Sequence, residues 1–72
     1  MADPEHDEPA DPAQIALRKV RHDLSNPLAA LLAETQLLLL EPGRYNRETL
    51  EALKQIESLA RRMREILHDL KV

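Results

Sequence analysis

Three side chains able to take part in catalysis stand close together in the first half of the chain. Residues 22–28 read His-Asp-Leu-Ser-Asn-Pro-Leu, which places an imidazole, a carboxylate and an amide just ahead of a proline. If this segment is helical, His22 and Asn26 lie on one face and Asp23 lies one step round. Because the apolar positions on either side of His22 then point the opposite way, the pattern predicts an exposed histidine.

The chemistry that this group favours is nucleophilic attack by a neutral imidazole. Asp23 can accept a hydrogen bond from Nδ1–H, which fixes the tautomer, leaves Nε2 as the attacking atom and stabilises positive charge on the ring. Asn26 offers a donor and an acceptor that can orient a phosphoryl oxygen or a water molecule. Pro27 has no N–H for the carbonyl of Asp23, so we expect the helix to bend there.

The surface around His22 suits the docking of another protein. Ala29 and Ala33 follow on the same side of the predicted helix, and Arg18 precedes His22 by one turn. Small side chains leave room for a partner's helix or loop, and Arg18 can attract phosphate or acidic residues. No metal site is expected, because an amide is a poor ligand and no second histidine or carboxylate stands four residues beyond His22.

The other two histidines are interpreted as solvated side chains. His68-Asp69-Leu70 repeats the first three residues of the motif, but no Asn-Pro pair follows it. His6 lies among the acidic residues of the N-terminus. The triplet alone therefore carries little weight, and the functional hypothesis rests on His22 with the residues that follow it.

Length and composition restrict the fold to one small helical domain. The 72 residues contain no cysteine and a single aromatic residue, Tyr45. Domains below roughly 70–80 residues rarely gain more than about 3–5 kcal/mol from one core without a further stabilising device, and with disulfides excluded the remaining device is oligomerisation. No signal peptide or membrane insertion is predicted, and a cytoplasmic location is expected.

Charge is distributed unevenly along the chain. Residues 1–12 carry five acids and no base, and the remaining sixty carry ten bases against eight acids. Residues 1–11 are predicted to form a disordered acidic tail, either a solubilising leader or an electrostatic gate over a basic surface. The basic surplus is small and the chain lacks the aromatic side chains on which bases stack, so no nucleic-acid partner is expected. A hairpin that binds RNA would need a basic face, which only Arg61, Arg62 and Arg64 could form.

Two long helices are predicted within a domain that spans residues 12–72. Asp11 and Pro12 favour a helix start, and Glu41-Pro42-Gly43 a helix stop, with glycine tolerating a positive φ. Helix one is predicted at about 12–40, the turn at 41–46 with Asn46 as N-cap, and helix two at about 47–71. Helices joined by so short a turn must lie antiparallel as a hairpin.

The apolar pattern predicts that two hairpins associate. Helix one carries a stripe at 13, 17, 20, 24, 28, 31, 35 and 38, with Leu32, Leu37, Leu39 and Leu40 outside it, and helix two carries a heptad seam through Thr49, Ile56, Met63 and Leu70. One hairpin cannot cover both surfaces. The fold class predicted is therefore all-α, an antiparallel two-helix hairpin that forms a homodimeric four-helix bundle.

Residues 22–28, continued by Ala-Ala-Leu-Leu-Ala at 29–33, resemble the H-box of the dimerisation and phosphoacceptor domain of two-component sensor histidine kinases. The family pattern is His, then Asp or Glu, two variable residues, Asn or Thr, and Pro-Leu. The resemblance covers residues 13–71, is fairly specific at the H-box and is generic in helix two. It implies that His22 is the phosphoacceptor, Asp23 its acid/base neighbour and Asn26 the residue that positions water. It also implies that Pro27 is the hinge at which helix one changes shape between states.

The resemblance also implies partners and cofactors. A second copy of the chain, a response regulator receiver domain and a histidine kinase catalytic domain are the expected partners. Unlike family members that continue into an ATP-binding domain, this sequence has one glycine and no nucleotide-binding signature. We therefore expect no autonomous ATP-dependent kinase activity and no cofactor bound by this chain, with the phosphoryl donor supplied in trans and Mg²⁺ supplied by the partner.

Three interpretations remain open at the level of sequence. The first is a phosphotransfer module that exchanges a phosphoryl group on His22 with a response regulator or a kinase domain in trans. The second is a non-catalytic dimer that docks to, or inhibits, a regulator or kinase through the face around His22. The third is a domain excised from a longer sensor kinase.

Overall fold

The computed structural model describes residues 11–70, which form a helical hairpin. Helix α1 spans Pro12–Leu39, a short 3₁₀ turn spans Pro42–Arg44, and helix α2 spans Arg47–Asp69. The all-α hairpin predicted from the sequence is confirmed. The predicted acidic tail lies outside the described residues except for Asp11, as does Lys71, the last residue assigned to helix two.

Side-chain caps begin both helices. The Asp11 carboxylate accepts a hydrogen bond from the backbone N–H of Ala13 at 3.0 Å, and Pro12 occupies the first helical position. The Asn46 side chain accepts from the backbone N–H of Thr49 at 2.8 Å. Each cap satisfies a donor that has no partner within its own helix, which is why these residues mark where the helices start.

The reversal between the helices is made without a left-handed glycine. No glycine within residues 11–70 has a positive φ, so the positive φ considered for Gly43 does not occur. Proline at the first position of the 3₁₀ turn ends the α-helical ladder instead. An ion pair of 3.1 Å between Arg44 and Glu41 spans the same turn.

The two helices lie antiparallel and share a narrow core. The Arg21 guanidinium on α1 donates to the carbonyl of Leu70, just past the end of α2, at 3.4 Å. Leu28 and Leu32 pack with Ala60, and these three side chains are 6, 4 and 1% exposed. The small side chain of Ala60 allows the two leucines of α1 to approach α2 closely.

A buried hydroxyl extends this core toward the turn. Thr35 is 4% exposed, and its Oγ1 donates to the carbonyl of Leu31 at 2.7 Å. Because the hydroxyl bonds within its own helix, its burial leaves no unpaired polar atom. Thr35 belongs to the predicted stripe, whereas Leu32, which the projection placed outside the stripe, is among the most buried residues.

A second apolar face, the seam, is not covered within one hairpin. On α1 it comprises residues of the predicted stripe, and on α2 residues of the heptad pattern, each of them 40–54% exposed: Leu17, Val20, Leu24, Leu31, Leu38, Ile56, Leu59, Met63 and Ile66. A groove lined by Leu24, Leu31 and Met63, among others, joins the two helices on this face. The predicted stripe thus divides between the hairpin core and an unpartnered surface.

Shortening Leu32 is expected to cost much of the domain's stability. A buried Leu→Ala change typically removes about 2–5 kcal/mol, comparable to the whole core contribution of a domain this small. Leu32→Ala should therefore lower the denaturation midpoint strongly in chemical unfolding followed by circular dichroism at a fixed protein concentration. Leu37→Ala is the control, because Leu37 is 60% exposed; equal losses in both variants would contradict the assigned core.

Neither helix within residues 11–70 combines the length and the apolar character required to cross a bilayer.

Candidate functional site

His22 lies on α1, about three turns after the N-cap at Asp11, and its side chain is exposed. This is the exposure that the helical projection predicts. No hydrogen bond within the described residues uses either ring nitrogen of His22. The ring is therefore accessible to a reaction partner without breaking any hydrogen bond inside the hairpin.

Asp23 is held by a residue other than His22. Lys19 Nζ lies 2.6 Å from Asp23 Oδ2, one helical turn earlier, and the two side chains are 75 and 54% exposed. Exposed pairs of this spacing contribute at most a few tenths of a kcal/mol, and less with the base on the N-terminal side. Lys19 thus competes with the imidazole for this carboxylate, but weakly enough to be displaced.

Lys19 is not among the residues that the motif predicts for the site. The signal that identifies it is the four-residue spacing of a lysine and an aspartate on a helix, which places the two side chains side by side. In the structure this pairing takes precedence over the Asp23–imidazole hydrogen bond expected from the sequence, which does not occur within the described residues.

The turn that carries the site has an altered backbone ladder. Pro27 has no N–H to donate to the Asp23 carbonyl, and Ser25 Oγ donates to the Arg21 carbonyl at 2.6 Å. Proline in a helix interior and Ser side chains bonded back to the preceding turn both favour bending. The α-helix nevertheless runs unbroken from Pro12 to Leu39, and a hinge at Pro27 stays a prediction.

The remaining predicted residues line the same side of α1. Asn26 follows His22 by one turn, Arg18 precedes it by one turn, and all three are exposed, as are Ala29 and Ala33. Toward the turn of the hairpin, Ala33 borders a shallow apolar surface with Leu37 and Leu40. The structure therefore places the predicted docking residues in one accessible strip.

The second His-Asp-Leu triplet lies at the same end of the hairpin. The Arg21–Leu70 hydrogen bond places residues 68–70 close to the turn of α1 that precedes His22. His68 is exposed in the last turn of α2. Being similar in local sequence and exposure but without a following Asn-Pro, His68 is a matched control for His22.

An exposed histidine followed by Asp, Asn and Pro, on the first helix of an antiparallel hairpin with an unpartnered apolar seam, is the arrangement of a helical phosphoacceptor module. A family model described as the His Kinase A (phospho-acceptor) domain matches residues 14–71. The chain belongs to this family and is a phosphoacceptor module of two-component signalling. The 72 residues do not include an ATP-binding domain.

Family membership also bears on assembly and partners. It implies homodimerisation, for which the seam offers an unpartnered surface, and it implies interaction with response regulators. No match is found among curated proteins, and none is found among solved structures.

Replacing Pro27 by alanine is expected to stabilise the hairpin. Alanine restores the backbone donor to the Asp23 carbonyl, and a proline in a helix interior costs about 3 kcal/mol. Part of this gain is lost because Pro27 also lines the apolar groove beside Leu24 and Leu31. Thermal unfolding of Pro27→Ala should give a higher midpoint than wild type; an unchanged or lower midpoint would show that the site turn carries no backbone strain.

Proposed function

We propose that His22 is the residue that carries the phosphoryl group, exchanging it with the receiver domain of a response regulator or accepting it from a kinase catalytic domain in trans. The single observation that supports this most is the exposed imidazole of His22 in register with Asp23, Asn26 and Pro27 on the first helix of a His Kinase A domain. The ring can be approached without any rearrangement of the core.

The transfer from a receiver begins with the neutral His22 ring. The lone pair of Nε2 attacks the phosphorus of the partner's aspartyl phosphate, the bond from phosphorus to the carboxylate oxygen breaks, and the aspartate leaves as a free carboxylate. With ATP as donor in a partner's active site, the leaving group is ADP. Forming the N–P bond makes the ring cationic until its Nδ1 proton is shared or lost.

Asp23 is the group that stabilises this cationic ring. Its carboxylate would exchange the Lys19 ammonium for Nδ1–H as positive charge develops, which the weakness of an exposed ion pair permits. Asn26, one turn away, positions a phosphoryl oxygen or the water that hydrolyses the partner's phosphate. Pro27 supplies the bend between states.

The partner docks along the strip formed by Arg18, Ala29 and Ala33. Alanines permit close approach of another backbone to the ring, and the guanidinium pairs with acidic or phosphorylated groups. The chain itself holds no cofactor in this scheme, and Mg²⁺ arrives bound to the partner.

The test is transfer from a receiver domain phosphorylated with ³²P. The label should move to the wild-type chain in a form stable to alkali and labile to acid, as a phosphoramidate is. Retention of the label on the receiver would count against phosphoacceptance by His22. So would release of the label only as inorganic phosphate, at a rate that a substitution at Asn26 does not change.

A second candidate is a docking protein that binds a regulator without transfer. The Lys19–Asp23 pair favours it, because a carboxylate occupied by an ammonium gives the imidazole no help. In that case an unphosphorylated receiver would bind with measurable affinity in calorimetry, and no label would reach the chain under any condition.

A further inference from the structure

The lysine of the ion pair beside His22 is also a neighbour of the imidazole ring. Lys19 precedes Asp23 by four residues and His22 by three on α1. Side chains at both spacings adjoin each other on a helix surface, with about 5–6 Å between their Cβ atoms. The ammonium that donates to Asp23 Oδ2 at 2.6 Å is therefore within reach of a group attached to the exposed ring.

The surroundings do not fix this ammonium on Asp23. The Lys19 and Asp23 side chains are 75 and 54% exposed, and ion pairs with such exposure are weak. A lysine ammonium is a compact charge with three donors on a flexible four-carbon stem, so it can change partners by side-chain rotation alone. No backbone movement is needed for Lys19 to turn from the carboxylate toward the ring.

Phosphorylation of His22 changes the charges that Lys19 meets. A phosphoryl group on Nε2 carries up to two negative charges and three acceptor oxygens, whereas the Asp23 carboxylate carries one charge and two oxygens. Charge-assisted hydrogen bonds to phosphoryl oxygens are among the stronger ones that an ammonium makes. Release of Asp23 at the same time leaves its carboxylate free for the positive ring. A single change of partner therefore neutralises both new charges.

The second His-Asp-Leu triplet shows what distinguishes the surroundings of His22. Both histidines follow an arginine by four residues, so an arginine at that spacing does not distinguish them. Three residues earlier, however, His22 has Lys19 whereas His68 has Glu65. No ion pair within residues 11–70 involves Asp69. A phosphoryl group on His68 would therefore meet the carboxylates of Glu65 and Asp69 with no lysine beside them.

We propose that Lys19 binds the phosphoryl group on His22 and in doing so releases Asp23 to the imidazole ring. In the unphosphorylated chain the ammonium pairs with Asp23, and in the phosphorylated chain it pairs with a phosphoryl oxygen. Lys19 is then a charged group of the site that the motif at 22–28 does not contain. Its part in transfer rests on the proposed function, whereas the exchange of partners requires no receiver.

Chemical phosphorylation tests the exchange without a protein partner. Phosphoramidate phosphorylates an imidazole directly: the Nε2–P bond forms, the P–N bond of the reagent breaks, and ammonia leaves and takes up the ring proton. The full chain is compared before and after this treatment by the ¹³C signal of Asp23 Cγ and the ³¹P signals of the phosphohistidines. The signals are assigned with His22→Gln and His68→Gln.

Lys19→Met is the informative variant, because methionine keeps the length and helix propensity of lysine without its charge. In the unphosphorylated chain it should shift the Asp23 Cγ signal, since the ion pair is lost. In the phosphorylated chain it should leave Asp23 Cγ unchanged, because Lys19 has already left the carboxylate, and it should shift the ³¹P signal of phospho-His22. The ³¹P signal of phospho-His68 should not move.

Two further variants separate loss of the pair from loss of a positive charge. Lys54→Met removes the same charge from α2, roughly 25 Å from Lys19 along the hairpin when the helices are aligned through their Leu28–Ala60 contact, and it should give wild-type signals. Lys19→Arg keeps a cationic donor in place and should resemble wild type.

Three spectroscopic results would overturn the proposal. The first is an Asp23 Cγ signal that Lys19→Met shifts equally in both states, or in neither. The second is a phospho-His22 signal that Lys19→Met does not move. The third is phosphorylation of His68 in preference to His22.

Transfer from a receiver measures the consequence separately. At equilibrium with a phosphorylated receiver, the share of the Lys19→Met chain that carries label should fall about threefold below wild type, as expected for one exposed ion pair, and that of Lys54→Met should not change. A Lys19→Met share equal to or above wild type would overturn the role in transfer. If no label reaches wild type, the proposed function fails and the spectra alone decide on the exchange.

Discussion

Replacing His22 by glutamine is expected to abolish phosphoryl transfer while leaving the fold intact. The glutamine amide keeps a polar side chain of similar reach but has no nucleophilic nitrogen lone pair, so we expect a loss of at least about 100-fold in label accepted from a phosphorylated receiver. His22 is exposed and makes no hydrogen bond within the described residues. The stability of His22→Gln should therefore lie within about 0.5 kcal/mol of wild type.

His68→Gln provides the matched comparison. His68 occupies the same His-Asp-Leu triplet and is exposed at the same end of the hairpin. The His68→Gln chain should accept label on His22 at the wild-type rate. Label on the His22→Gln chain would exclude His22 as the acceptor. If wild type takes up no label while both variants still bind the receiver, the docking alternative is favoured.

A lysine at position 31 is expected to convert the protein to monomers. Leu31 is 48% exposed in one hairpin and lies in the groove of the seam beside Met63. Burying a leucine stabilises an interface by about 1.5–3 kcal/mol, and a two-fold axis applies the change twice. Loss of these contacts, with a charge introduced in their place, should weaken dimerisation by at least about 100-fold.

Sedimentation equilibrium over a range of protein concentrations measures this effect directly. Leu40→Lys serves as the control, because Leu40 is 73% exposed and lies outside the seam. It should leave the dimer unchanged. Since hairpin and dimer stabilise each other, Leu31→Lys should also lower the unfolding midpoint and make it less dependent on concentration; a stable Leu31→Lys dimer would exclude the seam as the interface.

Local signals in the sequence predict the hairpin and the exposure of its histidine. Asp11 and Asn46 act as caps because their short oxygen-bearing side chains reach the first unpaired N–H groups, a property visible in the residue type and its position. The exposure of His22 follows from its angle relative to Val20 and Leu24, which requires only that the segment be helical.

The division of apolar residues between core and seam could not be predicted in the same way. A helical projection assigns an angle to each leucine but does not identify which angle meets the other helix. Leu28 and Leu31 lie on one predicted stripe, yet Leu28 is 6% exposed and Leu31 is 48% exposed. Leu32, outside the stripe, is buried because α2 approaches from that side.

The site differs from its sequence prediction for a related reason. The motif suggests a carboxylate for the imidazole, but it does not include the lysine that precedes Asp23 by one turn. Lys19 reaches the carboxylate because its long side chain extends across the turn, 2.6 Å from Oδ2. The spacing shows that Lys19 can reach Asp23, but the choice of Asp23 between the ammonium and the imidazole depends on rotamers, which the sequence does not specify.

Arg21 links the end of α2 to the reactive turn of α1. The Arg21 guanidinium donates a hydrogen bond to the Leu70 carbonyl at 3.4 Å. The backbone carbonyl of Arg21 accepts a hydrogen bond from the Ser25 hydroxyl at 2.6 Å, within the turn that holds His22. An axial slip of α2 against α1 must stretch or break the first of these bonds. The end of α2 is therefore in direct contact with the helical turn that carries the histidine.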